Sequence, residues 1–268
     1  MEIRPAASHA VTNPRVPSAP CAGHDDGDTP APAVLVVQNS AHSGPGRWER
    51  WLAEGGVRVD VVRGDLGQPL PGRLTEHGGL IVLGGALLPD DDERAPWLAP
   101  TRALMRQALD TGVPVFGICL GGQMLAQVAG GAVERDHGEP EFGSTPLTLR
   151  HEAADDPLFA RLPERVPAIE NHVDAIVRLP AGARWLASSE RCPYQAFRVG
   201  DAAWGVQFHP EGDPERIAGW YEERLARHGV DREALHRAAV RDDAAAAPVW
   251  RTVARRFAAV VRAGRRAA

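Results

Sequence analysis

The stretch Pro114-Val115-Phe116-Gly117-Ile118-Cys119-Leu120-Gly121-Gly122-Gln123 decides the fold. Val115 and Phe116 read as the end of an apolar strand. Leu120, Met124, Leu125 and Val128 recur at helical spacing until Gly130-Gly131 stops the helix. Cys119 therefore stands on the turn itself. A sharp strand-to-helix turn crowds the backbone, and Gly117 and Gly121 flank the cysteine at the positions glycines take in a Gly-x-Ser-x-Gly nucleophile elbow. The helix N-terminus that follows sets partial positive charge and free backbone N–H groups beside the sulfur, which favours thiolate over thiol and can hold an oxyanion. A buried core cysteine fits the same burial, so the elbow alone leaves both readings open.

A second segment weighs on the choice. Trp204-Gly205-Val206-Gln207-Phe208-His209-Pro210-Glu211 reads as a strand ending on a histidine and a carboxylate two residues apart. In extended chain these point to the same side, so His209 can face the thiol while Glu211 holds the imidazole from behind. Asp213 then serves as N-cap with Pro214 at the first helical position. Without the elbow, a strand-end surface histidine and a solvated glutamate would explain the segment.

Outward from the elbow, strand and helix alternate. Ala33 to Val37 is a short apolar strand, and Trp48, Trp51 and Leu52 mark a helix ending at Gly55-Gly56. Val57 to Val62 alternates, Leu80 to Leu83 is continuously apolar, and Thr101 to Asp110 is a helix closed by Gly112. This order predicts an α/β fold: a doubly wound, mostly parallel sheet of flavodoxin-like type with covered faces. The elbow and Gly84-Gly85 then fall at carboxyl ends of strands, where open α/β sheets place ligands. Short, turn-rich strands from Pro146 to Phe208 predict a small antiparallel extension that delivers His209 to the site. Beyond His228 the pattern turns helical. Trp250, Val253, Phe257 and Val260 form one stripe, with Arg251, Arg255, Arg256 and Arg262 on other faces, which predicts a helix packed on its own domain with its arginines in solvent. The expected organisation is a disordered leader over 1–31, a main domain over 32–228 and a helical extension over 229–268.

Together the segments resemble the class I glutamine amidotransferases, whose signatures are a Gly-x-Cys-x-Gly elbow followed by Gln and a Gln-Phe-His-Pro-Glu ending. The run Gly79-Leu80-Ile81-Val82-Leu83-Gly84-Gly85 is similar to that family's strand and glycine loop. Asn171-His172-Val173-Asp174, Leu179-Pro180-Ala181-Gly182-Ala183 and Gln195-Ala196-Phe197 resemble the often free-standing subgroup related to the amidotransferase domain of GMP synthase. The resemblance runs from about Ala33 to about His228. It implies Cys119 as nucleophile, His209 as general base and acid, and Glu211 as the partner that orients it. It also implies an oxyanion hole from the backbone N–H groups of Gly85 and Leu120, and Gln123, His172 and Asp174 as substrate-binding residues. Where many relatives carry proline after the double glycine, this chain has Ala86, which leaves the loop freer. Asp90-Asp91-Asp92-Glu93 resembles the family's acidic loop, and a solvated charge run explains it equally well.

The resemblance implies a glutaminase that passes ammonia to a separate synthase or synthetase subunit. A γ-glutamyl peptide or amine hydrolase would share every catalytic residue and need no such partner. A silent regulatory subunit has no physical need for Cys119, His209 and Glu211 together. At 268 residues the chain has room for one sizeable domain plus appendages. A net charge of −5 argues against a nucleic-acid partner. Its 30 basic residues are all arginine, as a GC-rich coding bias would produce. Cys21, Cys119 and Cys192 show neither metal spacing nor a disulfide framework, which fits a reducing cytoplasm, and no cofactor or metal is expected. No apolar run is long enough to cross a bilayer, and residues 1 to 31 lack the apolar core of a signal peptide.

Overall fold

Strand β1 (Ala33–Gln38) sets the architecture, because all six of its residues are buried. Val34 and Val36 pack into one layer while Leu35 and Val37 pack into the other. A strand apolar on both faces belongs inside a sheet covered on both sides. The computed structural model describes residues 31–266, so the leader expected over 1–31 lies outside the described residues except for its last position.

The remaining strands are β2 (Arg58–Arg63), β3 (His77–Val82), β4 (Val115–Ile118), β5 (Ala132–Glu134), β6 (Glu141–Leu149), β7 (Arg165–His172), β8 (Ala175–Arg178), β9 (Arg184–Ser188), β10 (Ala196–Val199) and β11 (Ala203–Val206). The helices are α1 (Arg47–Glu54), α2 (Leu98–Thr111), α3 (Leu120–Val128), α4 (Pro214–Ala218), α5 (Glu222–Ala226) and α6 (Arg232–Arg266). Nine strands form one sheet in the order β2-β1-β3-β4-β11-β10-β9-β6-β7, and β5 pairs with β8 separately. From β2 to β11 every pairing is parallel, and from β11 to β7 every pairing is antiparallel. The extension is thus four strands continuous with the parallel sheet.

Helices α2 and α3 cover one face through Leu104, Met105, Met124 and Leu125. The other face is closed by α1 and α6, where Trp48, Phe116, Trp204 and Phe257 form an aromatic cluster with ring centroids 4.5–6.3 Å apart. The buried stripe of α6 is Trp250, Val253, Ala254, Phe257, Ala258 and Val261, with Val260 half-buried at its margin. The arginines of α6 are not simply solvated. Arg256 donates to the carbonyls of Leu158 and Ala160 at 2.7 Å each, Arg262 donates to Gly55 O at 3.0 Å, and Arg251 pairs with Glu54 at 2.8 Å. Gly55 ends α1 with a carbonyl that has no helical partner, and the Arg262 guanidinium satisfies it.

Several boundaries differ from the expected ones, including β6, which opens the antiparallel extension at Glu141, ahead of Pro146. α2 begins at Leu98, ahead of Thr101, because Pro100 lies in the first turn, where no helical N–H bond is lost. β11 stops at Val206, three residues short of His209. Among the described residues no helix is long and apolar enough to cross a membrane.

Candidate active site

The register of the parallel strands brings the site together. Val37 pairs with Val82, Val82 with Gly117, and Ile118 with Val206, so the chain leaving each strand emerges at one level. Ser40 after β1, Gly85 after β3, Cys119 after β4 and His209 after β11 all border one cavity of about 390 Å³. Cys119 adopts φ 51° and ψ −109°, a conformation L-residues rarely take. The surroundings hold it there: its N–H donates to Val206 O at 2.8 Å, and its carbonyl accepts from the Gln123 N–H at 2.9 Å. A Cβ at Gly117 would meet the Gly121 carbonyl, and one at Gly121 the Val82 carbonyl, so only glycine allows this approach of backbones.

His209 arrives by a different route from the one expected. Beyond β11 the chain bends, and the His209 N–H donates to Ile169 O of β7 at 2.8 Å. A turn follows, with the Gly212 N–H donating to His209 O at 3.2 Å. This turn, not extended chain, folds Glu211 behind the imidazole, where Nδ1 lies 2.9 Å from Glu211 Oε1. The ring stands beside the Cys119 side chain on the wall formed by Gly84. A side chain at Gly84 would stand 2.8 Å from His209 Cε1 and 3.4 Å from Cys119 Cβ, which shows how closely the two groups converge there. Burial alone would lower the basicity of His209. The Glu211 charge and the contacts with Cys119 and Glu211 outweigh burial and raise its pKa to about 10.

Glu211 is fully buried, and sequence reasoning left its second partner unnamed. Arg216 Nη1 donates to Glu211 Oε1 at 2.6 Å, and Arg216 Nη2 donates to Gly44 O at 2.8 Å. Burial would push the carboxyl up, but His209 and Arg216 draw it below the usual range. The available signal was the capped helix. The Asp213 side chain accepts from the Arg216 N–H, with Pro214 in the first turn, and this folds Arg216 back towards Glu211.

The other expected residues fall into two groups. Gly85 and Gln123 line the cavity, and Gly85 packs against Leu120, whose N–H opens α3. Asp174 also lines it, accepting at its carbonyl from Gln123 Nε2 at 3.1 Å and at Oδ1 from the Asp136 N–H at 2.9 Å. His172 borders the cavity, yet its ring is engaged elsewhere. Nδ1 meets Asp174 O at 3.1 Å and Nε2 meets Glu141 Oε2 at 3.2 Å. The acidic run is not a free charged surface. Asp91 Oδ2 accepts from the Leu88 N–H at 2.9 Å, and Asp92 forms a two-pronged pair with Arg102 at 2.6 and 2.9 Å. The loop carrying Ala86 is thereby tied down from its far end.

Beneath the cavity lies a buried polar group the sequence did not announce. Glu141, His172 and Cys192 each present a ligand-type atom within 4.8 Å of the others. Within this group Glu141 Oε2 accepts from Gln195 Nε2 at 2.7 Å and from Ser189 Oγ at 3.0 Å. Glu170, also fully buried, has its Oε2 3.6 Å from His172 Nε2. Burial first, and then the Glu141 charge, push the Glu170 carboxyl well above the usual range.

A buried thiol at a helix N-terminus, facing an imidazole braced by a carboxylate, can attack an acyl carbon and shuttle the proton. The class I glutamine amidotransferase family model matches residues 47–221, about two thirds of the chain. The chain belongs to the class I glutamine amidotransferases. This amidotransferase is 36% identical over 179 residues to the glutamine-hydrolysing GMP synthase subunit of Thermoplasma volcanium, covering 66% of the chain and 82% of that protein. It is 32% identical over 197 residues to a glutamine-hydrolysing GMP synthase of Streptomyces avermitilis, covering 73% of the chain but 34% of that longer protein. A solved glutamine amidotransferase from Thermotoga maritima superposes with a TM-score of 0.77 at 26% identity, covering 85% of the chain and 98% of the other. The mixed α/β architecture with its elbow is therefore shared with an enzyme family.

Proposed function

We propose that this amidotransferase hydrolyses the side-chain amide of glutamine and releases the ammonia to a separate synthase chain. The reading rests above all on the buried line Cys119, His209, Glu211, closed by the half-buried Arg216, beside a cavity of about 390 Å³. The Cys119 thiolate attacks the amide carbon, and the backbone N–H groups of Gly85 and Leu120 receive the charge that develops on oxygen. The His209 imidazolium gives its proton to the departing nitrogen, so ammonia leaves and a thioester remains. Water then attacks the thioester while His209 takes its proton. Collapse of that intermediate frees glutamate and restores the thiol. Glu211 keeps the imidazole oriented, and Arg216 keeps Glu211 ionised. Gln123 and Asp174, which border the same cavity, hold the substrate.

The acceptor is assigned by chemistry and by relatives. Ammonia is useful only where an activated electrophile waits, and relatives matched over 82–83% of their own length carry the name of the glutamine-hydrolysing subunit of GMP synthase. Residues 32–228 make up the proposed amidotransferase domain, with the segment 229–268 as its cover, and the buried stripe of α6 supports that covering role. A free thiol nucleophile needs a reducing compartment, which supports the cytoplasm. Purified chain given glutamine should release ammonia and glutamate in equal amounts, faster when a synthase acceptor is added. Turnover of γ-glutamyl peptides with none of glutamine would overturn the reading.

A further inference from the structure

Gln207 stands between the two halves of the site, and nothing in the reaction described above uses it. It is the first residue beyond β11, whose Val206 pairs with Ile118, so the register sets Gln207 beside Cys119. Its N–H is fixed to Gln195 O at 2.9 Å, and its side chain is fully buried. The orientation of that side chain follows from its neighbours. The Asp174 carbonyl can only accept, so the end of the Gln123 amide facing it at 3.1 Å is the NH2 group. The same NH2 group lies 3.2 Å from the Gln207 amide and must meet its oxygen, Oε1. Gln207 Nε2 is left facing Cys119 Sγ at 3.7 Å. A backbone carbonyl thus sets a relay from Asp174 through Gln123 and Gln207 to the sulfur.

We propose that Gln207 is a further catalytic residue: its side-chain amide donates an N–H to Cys119 Sγ and stabilises the thiolate that attacks the substrate. The inference rests on Cys119 being the nucleophile. A donor to sulfur counts for more on the anion than on the neutral thiol, because hydrogen bonds to charged groups are the stronger ones. Being buried, the donor is not diluted by solvent, and being held by Gln123 it need not reorient when the charge forms. The relay also joins the substrate wall to the nucleophile, since Asp174 and Gln123 border the cavity that the glutamine enters.

The test is the pH dependence of Cys119 alkylation by iodoacetamide in the full chain, with the label located by peptide mass. Gln207→Glu is the informative variant. It keeps the shape and the acceptor for Gln123 and removes the donor to sulfur, but it also sets a carboxylate beside the sulfur, so the uncharged Gln207→Leu separates the lost donor from the added charge. Its alkylation midpoint should move up by roughly one to two pH units, and kcat at pH 7 should fall about 10- to 100-fold with KM little changed. Gln207→Leu, which adds no charge, should move the midpoint in the same direction by less. Thermal melting of each variant shows that folded protein is being read. An unchanged midpoint with kcat within about twofold of wild type in Gln207→Leu would overturn the proposal, whatever the charge in Gln207→Glu does. The underlying reading fails separately, if Cys119→Ala still releases ammonia from glutamine.

Discussion

The parallel half of the sheet buries aliphatic side chains, whereas the antiparallel half buries charge. In β1 and β4 the buried residues are Val, Leu, Ile, Phe, Ala and Gly, apart from Gln38 at the end of β1. The antiparallel half instead encloses Glu141, Glu170, His172 and Gln195. The first half supplies the nucleophile on a rigid elbow. The second supplies the contact that seats the base, through Ile169, together with the polar wall of the cavity. Catalysis needs both properties at one point: a stiff mount for the thiol, and a surrounding field that holds its partners in the right protonation states.

The largest effects should come from groups at the seam. Cys119→Ala should lower glutamine hydrolysis by roughly 10,000-fold or more while leaving the fold intact. Cys192→Ala should leave turnover nearly unchanged, and its loss would mean that the buried polar group takes part directly in the chemistry. Steady-state ammonia release separates these outcomes.

Next in size is the base. His209→Ala should cost roughly 100- to 10,000-fold in kcat, and Glu211→Gln should cost less, because the carboxylate orients without transferring the proton. The pH profile sharpens this. The Glu211 charge is the main influence raising His209, so the wild-type alkaline limb should lie well above neutrality, towards about 10. In Glu211→Gln it should descend towards the ordinary histidine range. An alkaline limb that stays in place would show that Glu211 does not set the protonation of His209.

A third measurement asks whether α6 belongs to the core of the parallel half. Phe257 is fully buried against Trp48, Phe116 and Trp204. Phe257→Ala should destabilise by about 3–5 kcal/mol, a fall in Tm on the order of 10 °C. A loss under about 1 kcal/mol would make the helix an appendage on a self-sufficient domain.

The same division explains what could be read from the sequence. In the parallel half, apolar runs, helical spacing and the glycines around Cys119 have direct structural meaning, and β1, β4, α1 and α3 lie close to where the pattern puts them. The pairing of His209 with Glu211 was also legible, although the turn that achieves it was not, since local sequence does not reveal the bridge to Ile169. The stripe of α6 was visible, while the carbonyls that its arginines bind lie about a hundred or more positions away in the chain. Arg216 and Glu170 were missed for a shared reason. Arginine and glutamate usually mark solvated surface, and only tertiary packing brings Arg216 to Glu211 or seals Glu170 beneath the cavity.

The smallest expected effect concerns Glu170, whose two carboxyl oxygens are buried without a hydrogen-bond partner. Burial and the Glu141 charge keep this carboxyl protonated in the folded chain, whereas an unfolded chain ionises it at the ordinary carboxylate pKa. A group raised in this way contributes stability that is fully present below its unfolded pKa and is lost as pH rises towards its folded one. Wild-type stability should therefore decline from about pH 5 upwards, by at most about 1.4 kcal/mol per pH unit from this one proton. Glu170→Gln is neutral at every pH and similar in shape. It should leave kcat within about threefold at pH 7 and remove this part of the slope, so that the variant gains on wild type as pH rises. Denaturant unfolding of both proteins at pH 5, 6, 7 and 8 reads the difference directly. Parallel curves would mean that Glu170 is ionised in the fold and that the antiparallel half, like the seam itself, holds its charges in pairs.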